Sequence, residues 1–166
     1  VRNCKIVSFA RGIDVTTAPN GTIFNVNISG TTNAFRITSA NNYNITNNLF
    51  NSTALSAEIV NSGSTYLQNV IITAGVGALQ IRNTGSNNYF FNNTFASFGG
   101  NTIFVQIVSN NNTFVNSTIS NANTGFEINR SVTINIINTT WLSTTLSIIA
   151  GLWANISLID NDRITN

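Results

Sequence analysis

Histidine and methionine are absent from the 166 residues, cysteine and proline occur once each as Cys4 and Pro19, and charged residues make up only 7%. Each absence closes a route. Without histidine there is no Ser-His-Asp or Cys-His nucleophilic arrangement, and copper, which favours His, Met or Cys, finds only Cys4. One cysteine excludes an internal disulfide framework, and Cys4 reads as a small apolar residue near the start. The acidic residues Asp14, Glu58, Glu127, Asp160 and Asp162 are thinly spread, whereas calcium takes about six to eight oxygen ligands, so neither a metal nor another cofactor is expected. No Gly-rich phosphate loop ending in Gly-Lys-Ser/Thr occurs.

The basic residues form no run, and the net charge of +2 implies neither nucleic acid nor an anionic membrane as partner. The longest apolar stretch, Leu146 to Ile159, carries Ser147, Asn155 and Ser157 and falls short of the roughly 20 residues a membrane span needs. The sequence opens on Val1 with no basic stretch followed by an apolar one. The chain is therefore expected to be one domain, residues 1–166, excised from a longer protein.

What is present is apolar residues at 42%, enough for a core, with Asn, Ser and Thr where charges usually stand. They follow a repeat. The frame apolar-x-Asn-x-x-apolar falls on Asn3, Asn25, Asn47, Asn69, Asn92, Asn116, Asn138 and Asn161, at steps of 22, 22, 22, 23, 24, 22 and 23 residues. Ten to twelve residues after each Asn comes an alternating apolar pair: Ile13/Val15, Phe35/Ile37, Ala57/Ile59, Leu79/Ile81, Phe126/Ile128 and Ile148/Ala150. In the fifth repeat the pair is either Ile103/Val105 or Val105/Ile107. A small residue precedes it in most repeats, as at Gly12, Ala34, Ser56 and Ala78.

Alternation at period two marks strands, and short strands repeating about every 22 residues predict a stacked parallel β-helix. Equivalent positions then form columns about 4.8 Å apart. The expectation is an all-β, single-stranded solenoid of about seven to eight coils with an internal ladder of the eight Asn residues. In that ladder each inward amide bonds the rungs above and below, satisfying a group whose burial otherwise costs about 1–3 kcal/mol.

With this frame, and with the piece Gly125-Phe126-Glu127-Ile128, the chain resembles the right-handed parallel β-helix superfamily and its PbH1-type repeats. Pectate lyase-like enzymes, NosD-like proteins, surface adhesins and tail-spike proteins share these repeats. The resemblance runs from Val1 to Asn166 and implies a right-handed coil. It also points to the outer face of the pair strand, where enzymes of this group tend to place catalytic groups.

There the column reads Asp14, Arg36, Glu58, Gln80, Phe104 or Gln106, Glu127 and Ile149. If the chain is an enzyme, Asp14, Arg36 and Glu58 are the candidates, since carboxylates about 5–10 Å apart serve glycoside hydrolysis. The competing reading is a surface charge ladder that favours one stacking register. A second candidate site is aromatic: Tyr66, Tyr89 and Phe91 fall in adjacent outward columns flanked by Asn44, Thr113 and Asn135. Exposed apolar surface marks contacts, here with carbohydrate or a neighbouring chain, unless the rings only stiffen the rod.

Sequons at Asn20, Asn27, Asn44, Asn51, Asn111, Asn129 and Asn155 are possible glycosylation acceptors; those at Asn92, Asn116 and Asn138 coincide with the ladder and are expected to be buried. The favoured reading is a non-catalytic rod of an extracellular or cell-surface protein, an adhesin, fibre or appendage, contacting carbohydrate or neighbouring protein and able to associate through its coil ends. The alternative is a polysaccharide lyase or hydrolase of the pectate lyase-like group.

Overall fold

Each strand hydrogen-bonds in parallel to strands one coil away, and these pairings build two sheets. The computed structural model describes residues 1–106, 109–120, 123–129, 132–142, 146–151, 154–159 and 163–165. The chain winds as a parallel β-solenoid with three faces. The first carries Tyr43–Thr46, Tyr66–Gln68, Tyr89–Phe91, Asn112–Val115, Thr133–Ile137 and Asn155–Ile159. The second carries Leu49–Ser52, Ile71–Ala74, Thr94–Ser97, Thr118–Ser120, Thr140–Leu142 and Arg163–Thr165. The long strand Gly21–Thr31 belongs to both and, with Arg2–Val7 paired alongside it, joins them into a fourteen-stranded sheet.

The third face is a separate seven-stranded sheet running from Arg11–Thr16 to Leu146–Ala150. Seven strands bound six intervals, so the solenoid makes about six turns, slightly fewer than the repeat suggested. Eight Asn frames likewise bound one interval fewer than their number, and the last, at Asn161, lies outside the described residues.

The columns expected from the repeat close the core. Ile23, Ile45, Leu67, Phe90, Phe114 and Ile136 stack in register on the first face, and all are buried. From the second face come Ile28, Phe50, Ile72, Phe95, Ile119 and Trp141, also buried. Phe90 stacks on Phe114 with ring centroids 4.4 Å apart, and Phe126 reaches Phe114 edge-on at 4.9 Å. Leu79 pairs with Ile103 and Ile81 with Val105, which settles the fifth repeat as Ile103/Val105. The preceding small residue is required by the corner: a Cβ on Gly12 would lie 2.6 Å from both Ile28 Cγ2 and Ala34 O.

In the last coil the register differs from the repeat by one residue. Leu158, rather than Ile159, pairs with Ile136, while Trp141 still pairs with Ile164.

The Asn ladder forms, but on the outside. Asn3, Asn25, Asn47, Asn69, Asn92, Asn116 and Asn138 all have φ between 48° and 56°, the left-handed region that Asn tolerates better than other side-chain-bearing residues. All seven are exposed. A residue in this conformation turns the chain between the first and second faces and interrupts strand alternation. Nδ2 of one rung donates to Oδ1 of the rung below at 2.9 Å (Asn25 to Asn3), 3.2 Å (Asn69 to Asn47), 2.7 Å (Asn92 to Asn69) and 2.8 Å (Asn138 to Asn116).

The inward amide belongs to the next residue in two coils. Asn48 Oδ1 accepts from the Val26 amide at 2.8 Å and its Nδ2 donates to Ile23 O at 3.0 Å. Asn93 does the same with Val70 N and Leu67 O. The corner turns these backbone groups away from the regular strand pairing, and the side chain from the coil above satisfies them.

A second corner, between the third and first faces, repeats the device. Asn20, Asn42, Ser64, Asn87 and Asn111 have φ from 54° to 62°. Asn42 donates to Asn20 and Asn111 to Asn87, while the following Asn88 and Asn112 are buried. The repeat reading missed this ladder, although these positions stand five residues before the first one and share its period.

Candidate functional site

On the third face the outward column Asp14, Arg36, Glu58, Gln80, Phe104 and Glu127 is in register throughout. Phe104, not Gln106, holds the fifth position. The column does not bring Asp14 together with Glu58. Arg11 Nη1 donates to Asp14 Oδ2 at 2.7 Å on the same strand, where both groups are solvent-exposed.

Glu58 is 7% exposed and lies between two guanidinium groups. Arg36 Nε is 3.2 Å from Oε2, and Arg82 Nη2 donates to Oε1 from the next coil. Burial, and after it the charge of Arg36, pull the Arg82 guanidinium below its ordinary value. Both carboxylate oxygens are engaged, and the three side chains clamp three successive coils. The repeat named Arg36 but missed Arg82, which its outward position one coil beyond Glu58 already indicated.

On the first face Tyr66 pairs with Tyr89 and Gln68 with Phe91. The tyrosine rings stack at 5.5 Å and 2°, and Phe91 lies 6.5 Å from Tyr89 at 13°. Asn44 flanks Tyr66 below and Thr113 flanks Tyr89 above, with Asn135 one coil further. Tyr66 and Phe91 are half-buried, while Tyr89 is exposed. The three residues do form one strip, as the columns required. Its rings lie against each other, however, so much of each facing surface is already covered, and the Tyr66 hydroxyl is 3.2 Å from Gln68 Oε1.

Over the outer ladder, along the rungs from Asn3 to Asn69, runs an open groove of about 600 Å³. Asn3, Asn25, Asn47 and Asn69 line it, with Leu49 and Ile71 to one side and Lys5 in the first coil. The repeat gave no sign of it, because a concavity arises from how two faces meet. On the third face a smaller apolar hollow of about 210 Å³ lies among Leu55, Val76, Gln80 and Phe104.

Of the sequons, Asn20, Asn44, Asn51, Asn111, Asn129 and Asn155 are exposed, and Asn27 is half-buried. Asn92, Asn116 and Asn138 are exposed as well, contrary to the expectation that ladder residues are buried; the left-handed corner turns them outward. Among the described residues no group of three or more His, Cys, Asp or Glu side chains is placed to hold a metal ion, and no helix is long and apolar enough to cross a membrane. Comparisons with family models, with curated proteins and with solved structures find no match for this chain.

Proposed function

We propose that the chain is a non-catalytic rod: a β-helix of the right-handed, pectate lyase-like superfamily, serving in an extracellular or cell-surface protein and offering its outer face to carbohydrate. The observation that carries this reading is the Arg36–Glu58–Arg82 clamp. The carboxylate best placed for acid or base chemistry has both oxygens tied to arginines, and removing it leaves two cations facing each other. That arrangement supports a register-holding role. An acid–base pair needs groups free to exchange protons with substrate.

Low charge and a surface rich in Asn and Thr support a contact made through hydrogen bonds. The aromatic strip of Tyr66, Tyr89 and Phe91 supplies apolar surface next to them.

Two measurements test the reading together. Incubation with a panel of neutral and acidic polysaccharides is expected to give no depolymerisation. Glycan-array binding is expected to fall with Tyr66→Ala or Tyr89→Ala if the strip itself is the contact. Depolymerisation that disappears in Glu58→Gln or Arg36→Ala, with the thermal midpoint retained, would establish the lyase or hydrolase alternative instead.

A further inference from the structure

We propose that the groove along the outer Asn ladder is a binding site for a neutral oligosaccharide lying parallel to the solenoid axis. This rests on the carbohydrate-contact reading and moves the contact from the ring strip to that groove. The argument begins with hydrogen-bond capacity. A primary amide has two N–H donors and a carbonyl with two lone pairs, and each observed ladder bond uses one N–H of the upper rung and one lone pair of the lower.

The rungs at Asn25, Asn47 and Asn69 therefore retain polar capacity in an exposed column, each at a backbone position of positive φ. A pair of vicinal hydroxyls can donate to such a carbonyl and accept from such an N–H on the same or the next rung. The rungs repeat at the interstrand spacing of about 4.8 Å. An extended peptide along the same line presents same-side groups only about every 6.8 Å, so it drifts out of step within two rungs.

The wall and the charge agree with a sugar. Leu49 is 40% exposed and Ile71 is 49% exposed, forming an apolar wall one coil apart. A wall of that kind suits the C–H surface of a ring while the hydroxyls address the ladder. Among the described residues, Lys5 is the one charged side chain lining the groove, and it stands in the first coil at the foot of the Leu49 and Ile71 column, two coils below Leu49. Nothing beside Asn47 and Asn69 repels or selects a charge, which favours an uncharged chain there. The stacked tyrosines, by contrast, spend their faces on each other.

The test is an NMR titration of the whole chain with maltohexaose, cellohexaose and mannohexaose, following the side-chain amides of Asn25, Asn47 and Asn69. At least one of these sugars is expected to shift those amides. Leu49→Lys and Ile71→Glu replace exposed wall residues without touching the core, and each is expected to weaken binding about tenfold with the thermal midpoint unchanged. Asn47→Gly keeps a residue suited to positive φ while removing one rung, and is expected to weaken binding as well. Tyr66→Ala is expected to change affinity less than about twofold.

No shift of the ladder amides with any of the three sugars overturns the groove proposal. Binding that is lost in Tyr66→Ala yet kept in both wall variants also overturns it, while leaving the strip as the carbohydrate contact. Cleavage of the sugars by the protein overturns the non-catalytic reading on which the groove proposal rests.

Discussion

Asn92 and Asn93 are neighbours in the chain and opposites in environment. Asn92 is exposed with φ 54° and donates sideways to another side chain, Asn69, at 2.7 Å. Asn93 is 2% exposed and bonds only backbone, accepting from Val70 N and donating to Leu67 O. The first residue makes the corner, and the second repairs what the corner does to the backbone of the coil below. The same division holds for Asn47 with Asn48 and for Asn111 with Asn112. An Asn-rich solenoid thus uses one residue type for two physical reasons: tolerance of the left-handed conformation, and an amide that can both donate and accept.

The difference predicts unequal costs of substitution. The largest belongs to Asn112, whose Oδ1 accepts from the Asn88 amide and side chain while its Nδ2 donates to Gly85 O and Ser109 O. Asn112→Leu strips several buried groups at once and is expected to lower stability by roughly 3–5 kcal/mol, read from urea denaturation. A loss under about 1 kcal/mol contradicts the repair role.

Asn93→Asp sharpens the comparison through pH. A buried carboxylate facing Leu67 O is disfavoured, so its folded pKa rises above the unfolded value of about 3.9. The folded state then binds more protons than the unfolded one. The destabilisation is absent below the unfolded pKa, grows as pH rises, and is complete above the folded pKa, where it reaches about 2–3 kcal/mol. Thermal midpoints measured between acid and neutral pH, relative to the parent chain, are expected to converge toward the acid end. Asn92→Asp, exposed to water, is expected to show little of this dependence.

At the ladder itself Asn92→Ala forces a Cβ-bearing residue without a local polar group into positive φ, costing about 2 kcal/mol with the lost bond included. Asn92→Gly removes the bond but relieves the backbone, and about 1 kcal/mol or less is expected. If the two variants unfold at the same denaturant concentration, conformational tolerance is not what selects Asn at this corner. The smallest effect is expected for Asn3→Gly in the first coil, where the residue accepts one exposed bond from Asn25: about 0.5 kcal/mol or less.

Much of this is legible in the sequence. The register of the inward columns, from Ile23 to Ile136 and from Phe35 to Phe126, follows from period-two alternation repeated at a nearly constant step, because parallel stacking brings like residues over like. So do the outward columns that place Tyr66 over Tyr89 and Arg36 over Glu58. The repeat alone points the ladder inward, whereas the structure turns it outward, and a sign of this is present in the sequence. The core residues of each frame, such as Phe90 and Phe95, are five apart. An odd separation cannot hold two inward residues on one alternating strand, so one residue between them must break the alternation. Asn92 breaks it by taking positive φ, and the inward place passes to Asn93.

A parallel solenoid, its period and its core columns are legible in the chain alone, because each of these depends on which residue types recur at which spacing. That the ladder faces outward, that Glu58 is held by Arg36 and Arg82 rather than set beside Asp14, and that the ladder floors a groove emerge when the coils are stacked. Those depend on the angle at which two faces meet and on which long side chain reaches across coils, and neither quantity is carried by a one-dimensional repeat.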